Sequence, residues 1–388
     1  MVLRRVAVIP DIVVRHAEEA AFLWLRRGRE IDGQLLGADD IGRIDRRLDA
    51  NLDGLEAAGS AGWETAVQRF ALFPEAGEAF VLGTLALRAG DDERLAIAVQ
   101  SAKTLGAAGL KALSGAAART ARQRLRGCVA RWLNSADPFE RTLGLCALSH
   151  HRVNAAAYES RLIEDGDVTV RRRACRLAGE LGSRDLAARL VHHMQANDVG
   201  EVFEAACALC LLGEDAQAVP VLDRLVGHEA FGARAVELRL LATPGVTGRR
   251  WLQGLLEQPT LRAAATAAIG VVGDPVIMPW LIRAMRDAAL VRPAGVALRD
   301  LFAVDFNDTD LFSIDPTLFP DDMGRPLEEG ELPVADRVAQ WWDRTRGEGM
   351  TAFQSMRTLR LGSLRSAMIQ PGQPLHNWRA TRCFPAWM

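Results

Sequence analysis

The chain has 388 residues, is 49% hydrophobic, and carries 47 basic against 49 acidic side chains, a formal net charge of −2. That balance excludes a global electrostatic pull toward nucleic acid or an anionic membrane. Six cysteines in a chain this long exclude a disulfide framework. No segment has the apolar length of a membrane span. The opening "MVLRRVAVIPDIV" has an apolar run too short, and broken by Pro10, to be a secretion signal. The expectation is a cytoplasmic protein with reduced thiols. Among the basic residues only Lys103 and Lys111 are lysine, which GC-rich coding explains as simply as selection for phosphate contacts.

Ala, Leu and Arg dominate and β-formers are sparse, so helices are expected throughout. Residues 11–60 read as helices outside any repeat. The first is "HAEEAAFLWLRRG"; in the second Ile41, Ile44, Leu48, Leu52 and Leu55 keep helical spacing. "EAFVLGTLALRAGDDERLAIAVQSA" and "GLKALSGAAARTARQRLRGCVARWL" then read as helix pairs, the former a degenerate copy of the repeat downstream.

A repeat with a period near 30 residues runs from about 137 to 304. Its reference unit is "DVTVRRRACRLAGELGSRDL", in which Val170, Ala174, Leu177 and Leu181 form one apolar stripe and Gly182 supplies a left-handed cap. "EAACALCLLGED" aligns with it at an offset of 31, placing Leu212-Gly213 on Leu181-Gly182. "TLRAAATAAIGVVGDP" aligns at an offset of 91, placing Arg262 on Arg171 and Gly270 on Gly179. "ALVRPAGVALRDLF" returns Val291-Arg292, with Gly295 where Ala174 stands. Each first helix is followed by a second: "LAARLVHHM", "AVPVLDRLV", "PVIMPWLIRAM". A single pair cannot bury its apolar face, so stacking must, and small residues at matched positions allow close approach.

The fold expected is all-α, a HEAT-like α-solenoid: a right-handed superhelix of antiparallel helix pairs with non-repeat helical extensions at both ends. The divisions are an N-terminal helical region 1–75, the repeat array 76–304, an acidic, Pro-interrupted linker 305–332, and a C-terminal helix and tail 333–388 in which Pro333 opens a short helix. The ordered set "HAEEAAFLWLRR", "IGRIDRRLDANLDGLEAAG", "IGVVGDPVIMPWLI", "RPAGVALRDLFAVDF" and "QPGQPLHNWRA" resembles an uncharacterised proteobacterial family of HEAT-repeat proteins often encoded beside type VI secretion genes. The resemblance spans nearly the whole chain and departs around "GEGMTAFQSMRTLRLG" and at the extreme C-terminus. It transfers no active site. It implies a protein partner: secretion machinery, an effector, or an adaptor that loads one.

The chemistry-bearing residues have plain structural readings beside the functional ones. Cys207 and Cys210, with His192-His193 nearby, could offer zinc ligands. No second C-x-x-C completes the set, and buried thiols among Ala and Leu are the better reading. His150-His151 end a helix, where a cation suits the dipole; a catalytic role beside Ser149 would need an elbow motif that is missing. Asp305, Asp308 and Asp310 lack the glycine and distal glutamate of a calcium loop. A solvated acidic loop, able to dock on a basic partner, fits them better.

Arg171, Arg262 and Arg292 recur at one repeat position and are expected to form a ladder, pairing with acids of the adjacent turn such as Asp165, Asp167 and Glu257. Arg172, Arg173 and Arg176 are expected to be a solvated face. Trp341, Trp342, Trp378 and Arg379 are the partner-binding candidates, although tryptophan after a solenoid can equally cap its last exposed core. No catalytic residue, cofactor or metal is expected. The function expected is a non-enzymatic protein–protein interaction scaffold with a concave binding surface, an adaptor or effector chaperone of a type VI secretion system. The alternatives are a nucleic-acid-binding solenoid and a solenoid lyase, which would need a shifted titratable pair that the sequence does not display.

Overall fold

The computed structural model describes residues 8–33, 38–243, 245–272, 275–302, 310–324 and 331–346. About three quarters of them are helical, 77%. In chain order the helices are α1 Pro10–Gly33, α2 Ala38–Ala57, α3 Ser60–Leu72, α4 Ala76–Ala89, α5 Asp92–Lys103, α6 Ala107–Ala118, α7 Arg122–Leu133, α8 Pro138–His150, α9 Ala156–Leu162, α10 Val168–Leu181, α11 Ala187–His193, α12 Val199–Leu212, α13 Asp215–Leu225, α14 Gly232–Ala242, α15 Val246–Leu256, α16 Arg262–Ala267, α17 Ile269–Val272, α18 Met278–Ala284, α19 Val291–Phe302 and α20 Ala335–Thr345. The fold is the all-α, solenoid-like succession of helix pairs that the periodicity predicts. It divides within α10 into two compact units, one running through Leu177 and the other starting at Ala178.

In the first unit α1 and α2 form a hairpin packed on α4. Ile41, Ile44, Leu48, Leu52 and Leu55 of α2 are all buried, as their spacing requires. The opposite flank of α2 carries acids at helical intervals, and these are tied down by arginines. Asp45 accepts from Arg27 Nε at 2.7 Å and from Arg119 at 2.8 Å, Asp49 accepts from Arg119 at 2.7 Å, and Asp53 accepts from Arg88 at 2.7 Å. Burial pushes the Asp45 carboxyl up, but the charges and hydrogen bonds of Arg27 and Arg119 outweigh it and hold it below the usual carboxylate range. The N-terminal hairpin is thereby joined to the ends of α4 and α6 by a charge network as well as by a shared apolar core. In that core Trp24 stacks on Phe80 at 4.9 Å.

The repeat is built from recurring end chemistry. Asp137, Asp167 and Asp198 each cap the helix that follows with a side-chain oxygen, bonding Phe139 N, Thr169 N and Glu201 N. Asp167 therefore serves its own helix. At the other end, Val153 N bonds Leu148 O, Ser183 N bonds Ala178 O and Glu214 N bonds Leu209 O, each at 2.9 Å. These are Schellman closures, which need a left-handed residue just before the donor. Gly182 (φ 74°) and Gly213 (φ 87°) supply it, while in the earlier repeat Arg152 takes the same role at φ 50°. An arginine in that role masks the repeat boundary, which glycine marks elsewhere.

Helix packing within the second unit depends on small residues. A Cβ on Gly179 would lie 2.6 Å from Ala208 Cα, and one on Gly270 would lie 2.3 Å from Asp300 Cβ. The described part of the acidic segment, residues 310–324, packs with 331–334 as a cover on the end of the array. Strands β1 Phe312–Ser313 and β2 Leu332–Pro333 pair antiparallel, with Met323 and Leu332 buried against Val291 of α19. Pro333 lies in β2, so α20 starts two residues later than its proline suggests. On α20, Val338 and Trp342 close the core of α14–α19.

Candidate functional site

Two of the recurring arginines bond the backbone of the turn before their own helix. Arg171 Nη1 donates to Asp165 O and Gly166 O, and Arg262 Nε donates to Leu256 O. The same geometry occurs at Arg141, whose Nη1 donates to Ser135 O and Ala136 O. Each guanidinium reaches back six residues to carbonyls of the preceding turn. Arg141 also makes a two-pronged bond to the Asp165 carboxylate, at 2.8 Å on both arms. A link from arginine to the next turn's acid is made by Arg141 to Asp165. Arg292 is half-buried on the first turn of α19.

Arg172, Arg173 and Arg176 are half-buried rather than fully solvated, and Arg173 Nε lies 3.3 Å from Cys146 Sγ. A helix face that another element covers can look free in one-dimensional periodicity.

Trp341 and Trp342 both pack on Phe302, with ring centroids 5.1 and 5.5 Å from it. Trp342 is 9% exposed and Trp341 half-buried, so only Trp341 keeps an edge toward solvent. Trp378 and Arg379 lie outside the described residues, as do Asp305 and Asp308, while Asp310 is exposed. Cys207 and Cys210 are buried, and the Nδ1 of His193 bonds Glu201 at 2.7 Å. No cluster of three metal-binding side chains occurs among the described residues. His150 closes α8 and bonds Ser114 Oγ at 2.8 Å, while His151 Nε2 bonds Ala117 O. The histidines thus terminate the helix while tying it to α6.

One titratable constellation was illegible in sequence. Glu237 and Arg234 sit a turn apart on α14, both half-buried. The Arg234 guanidinium lies 5.0 Å over Phe203, which stacks on Phe231 at 4.7 Å, and Phe231 in turn stacks on His228 at 5.0 Å. Asp300 arrives from α19, and its Cβ can approach α17 closely because residue 270 is glycine. Burial, with the Asp300 charge added and only Arg234 opposing, pushes the Glu237 carboxyl up to about 7. A carboxyl of that kind can give or take a proton at neutral pH, or accept a cationic side chain. These residues come from helices 63 positions apart in the chain, so spacing could not bring them together.

No helix among the described residues is long and apolar enough to cross a membrane. No family model matches the chain, and no curated protein matches it. Among solved structures the chain is similar to the crystal structure of an engineered protein, at 16% identity over 75% of this chain and 94% of that one, with a TM-score of 0.31.

Proposed function

We propose that the chain is a non-enzymatic scaffold that binds another protein through the faces of its helix pairs. The observation that carries this reading is the occupancy of its arginines. Arg171 and Arg262 spend guanidinium donors on backbone carbonyls, and Arg27, Arg88, Arg119 and Arg141 on carboxylates. A nucleic-acid groove needs such cations turned toward phosphate. What the second unit offers instead is a mixed surface of acid, cation and aromatic around Glu237, Arg234 and Phe231, the composition suited to a protein partner. In its most specific form, supported by the family resemblance alone, the scaffold is an adaptor or effector chaperone for a type VI secretion system.

The test is co-purification of the tagged chain from its host with the products of neighbouring genes. Recovery of a secretion component or effector supports the proposal. Indifference to all of them, together with steeply salt-dependent binding to duplex DNA, defeats it.

A second reading, a lyase-type enzyme, is favoured by the raised Glu237 carboxyl beside Asp300. Its check is any turnover with a pH profile that Glu237→Gln abolishes while the helical content stays intact.

A further inference from the structure

The start of α4 lies directly on α1, where a Cβ on Gly77 would stand 2.9 Å from Ala21 O. Three carboxylates meet at this junction: Glu18 of α1, Glu75 just before α4 and Glu78 in its first turn. Arg69 of α3 stands among them. Its Nη1 reaches Glu18 at 3.0 Å and its guanidinium lies 4.3 Å from the centre of the Phe73 ring. Its Nη2 stands 3.9 Å from Glu78 Oε1, beyond hydrogen-bond distance. Glu78 is 9% exposed, and among the described residues its Oε2 and the Arg69 Nε are buried without a hydrogen-bond partner. Burial, with the charges of Glu75 and Glu18 added, pushes the Glu78 carboxyl up against the opposing pull of its own amide and Arg69. Glu75 occupies the N-cap position of α4 yet makes no cap hydrogen bond, unlike Asp91, Asp137 and Asp198 at theirs. Three acids around one guanidinium leave an excess of negative charge, and a buried charge is stabilised only when it is paired.

Apolar side chains frame the junction. Leu72 is 69% and Phe73 46% exposed at the end of α3, and Phe22, one turn past Glu18 on α1, is 56% exposed. Acids repel a phosphate-rich ligand, and a bare metal ion gains nothing from an apolar rim. A cationic side chain flanked by aliphatic ones satisfies both features. We propose that the α1–α3–α4 junction binds a basic, aliphatic segment of a protein partner, its arginine or lysine held by Glu18, Glu75 and Glu78. The side chains next to that cation lie on Leu72, Phe73 and Phe22. This surface rests on the scaffold reading and gives it a contact site within the first unit.

The probe is a fluorescein-labelled peptide of alternating leucine and arginine, titrated with the full-length protein and followed by anisotropy. It should bind the wild type, and the affinity should fall at least about tenfold in Glu75→Lys and in L72S/F73S, with unchanged circular dichroism. Both variants alter exposed side chains only. Glu78→Gln, which keeps the shape and removes the buried charge, should weaken binding as well. A leucine–glutamate peptide should not bind, and a serine–arginine peptide should bind more weakly than the leucine–arginine one. Absence of binding by the wild type up to about 1 mM peptide would overturn the proposal. So would equal affinity in the wild type and both variants. Neither result touches co-purification with the products of neighbouring genes, so failure of this surface is distinguishable from failure of the scaffold reading.

Discussion

Arg141 grips Asp165 through two parallel hydrogen bonds of 2.8 Å, Nε to Oδ2 and Nη2 to Oδ1, while the same guanidinium caps carbonyls at Ser135 and Ala136. One side chain therefore locks the turn before α8 to the turn before α10. Both partners are largely buried, at 15% and 10% side-chain exposure, which lifts the pair above an ordinary surface bridge. Asp165→Asn should cost about 1–3 kcal/mol by leaving Arg141 under-paired. Urea denaturation of Asp165→Asn, Arg141→Met and the double variant gives the coupling. A coupling near zero would mean that solvent screens the pair.

The glycines divide into two kinds with opposite expectations. Gly179→Ala and Gly270→Ala place a methyl within 3 Å of a neighbouring helix and should destabilise by about 1–3 kcal/mol through overpacking. Gly254, inside α15, meets nothing within 4 Å, so Gly254→Ala should stabilise by about 0.5–1 kcal/mol through helix propensity. Melting temperatures of the three variants should move in these directions.

Acidity acts in two windows. Glu237 has a folded carboxyl raised to about 7 from 4.5, so the folded state binds the proton more tightly. Its contribution is fully present below the unfolded value and is lost as the pH rises through about 7. Stability should therefore rise by about 1–2 kcal/mol on acidifying from pH 7.5 to 5, and Glu237→Gln should flatten that slope. Asp165 behaves oppositely. Burial raises its carboxyl, but the Arg141 bonds and charge and the Asp167 amide hold it below the ordinary value. Its stabilisation is present above about pH 4 and is lost as the pH falls through the folded value. Denaturation midpoints across pH 2–8 separate the two.

The paired tryptophans of α20 should differ in kind. Trp342 is buried against Phe302, so Trp342→Ala should cost about 3–5 kcal/mol and loosen the end of the array. Trp341 is half-buried, so Trp341→Ala should cost less. If Trp341 also contacts a partner, its loss should weaken binding by more than it weakens the fold. Parallel denaturation and partner-affinity measurements distinguish these effects.

By itself the sequence determined the all-α class and the register of the repeat. Those rest on local chemistry that spacing records: the stripe Val170, Ala174, Leu177 and Leu181, the caps at Gly182 and Gly213, and the apolar ladder of α2. It also marked Arg171, Arg262 and Arg292 as equivalent, because equivalent positions recur in a stack. What those arginines bond to was decided only in three dimensions. Backbone carbonyls are present at every residue and leave no trace in the sequence, so their capture by Arg171 and Arg262 could not be read. The left-handed Arg152, the burial of Trp342 and the half-covered arginines of α10 belong to the same category, since each depends on neighbours that packing supplies. So does the meeting of Glu237 with Asp300. Its raised carboxyl comes from lost water and a second charge brought from a distant helix, and both are properties of the folded interior rather than of any motif.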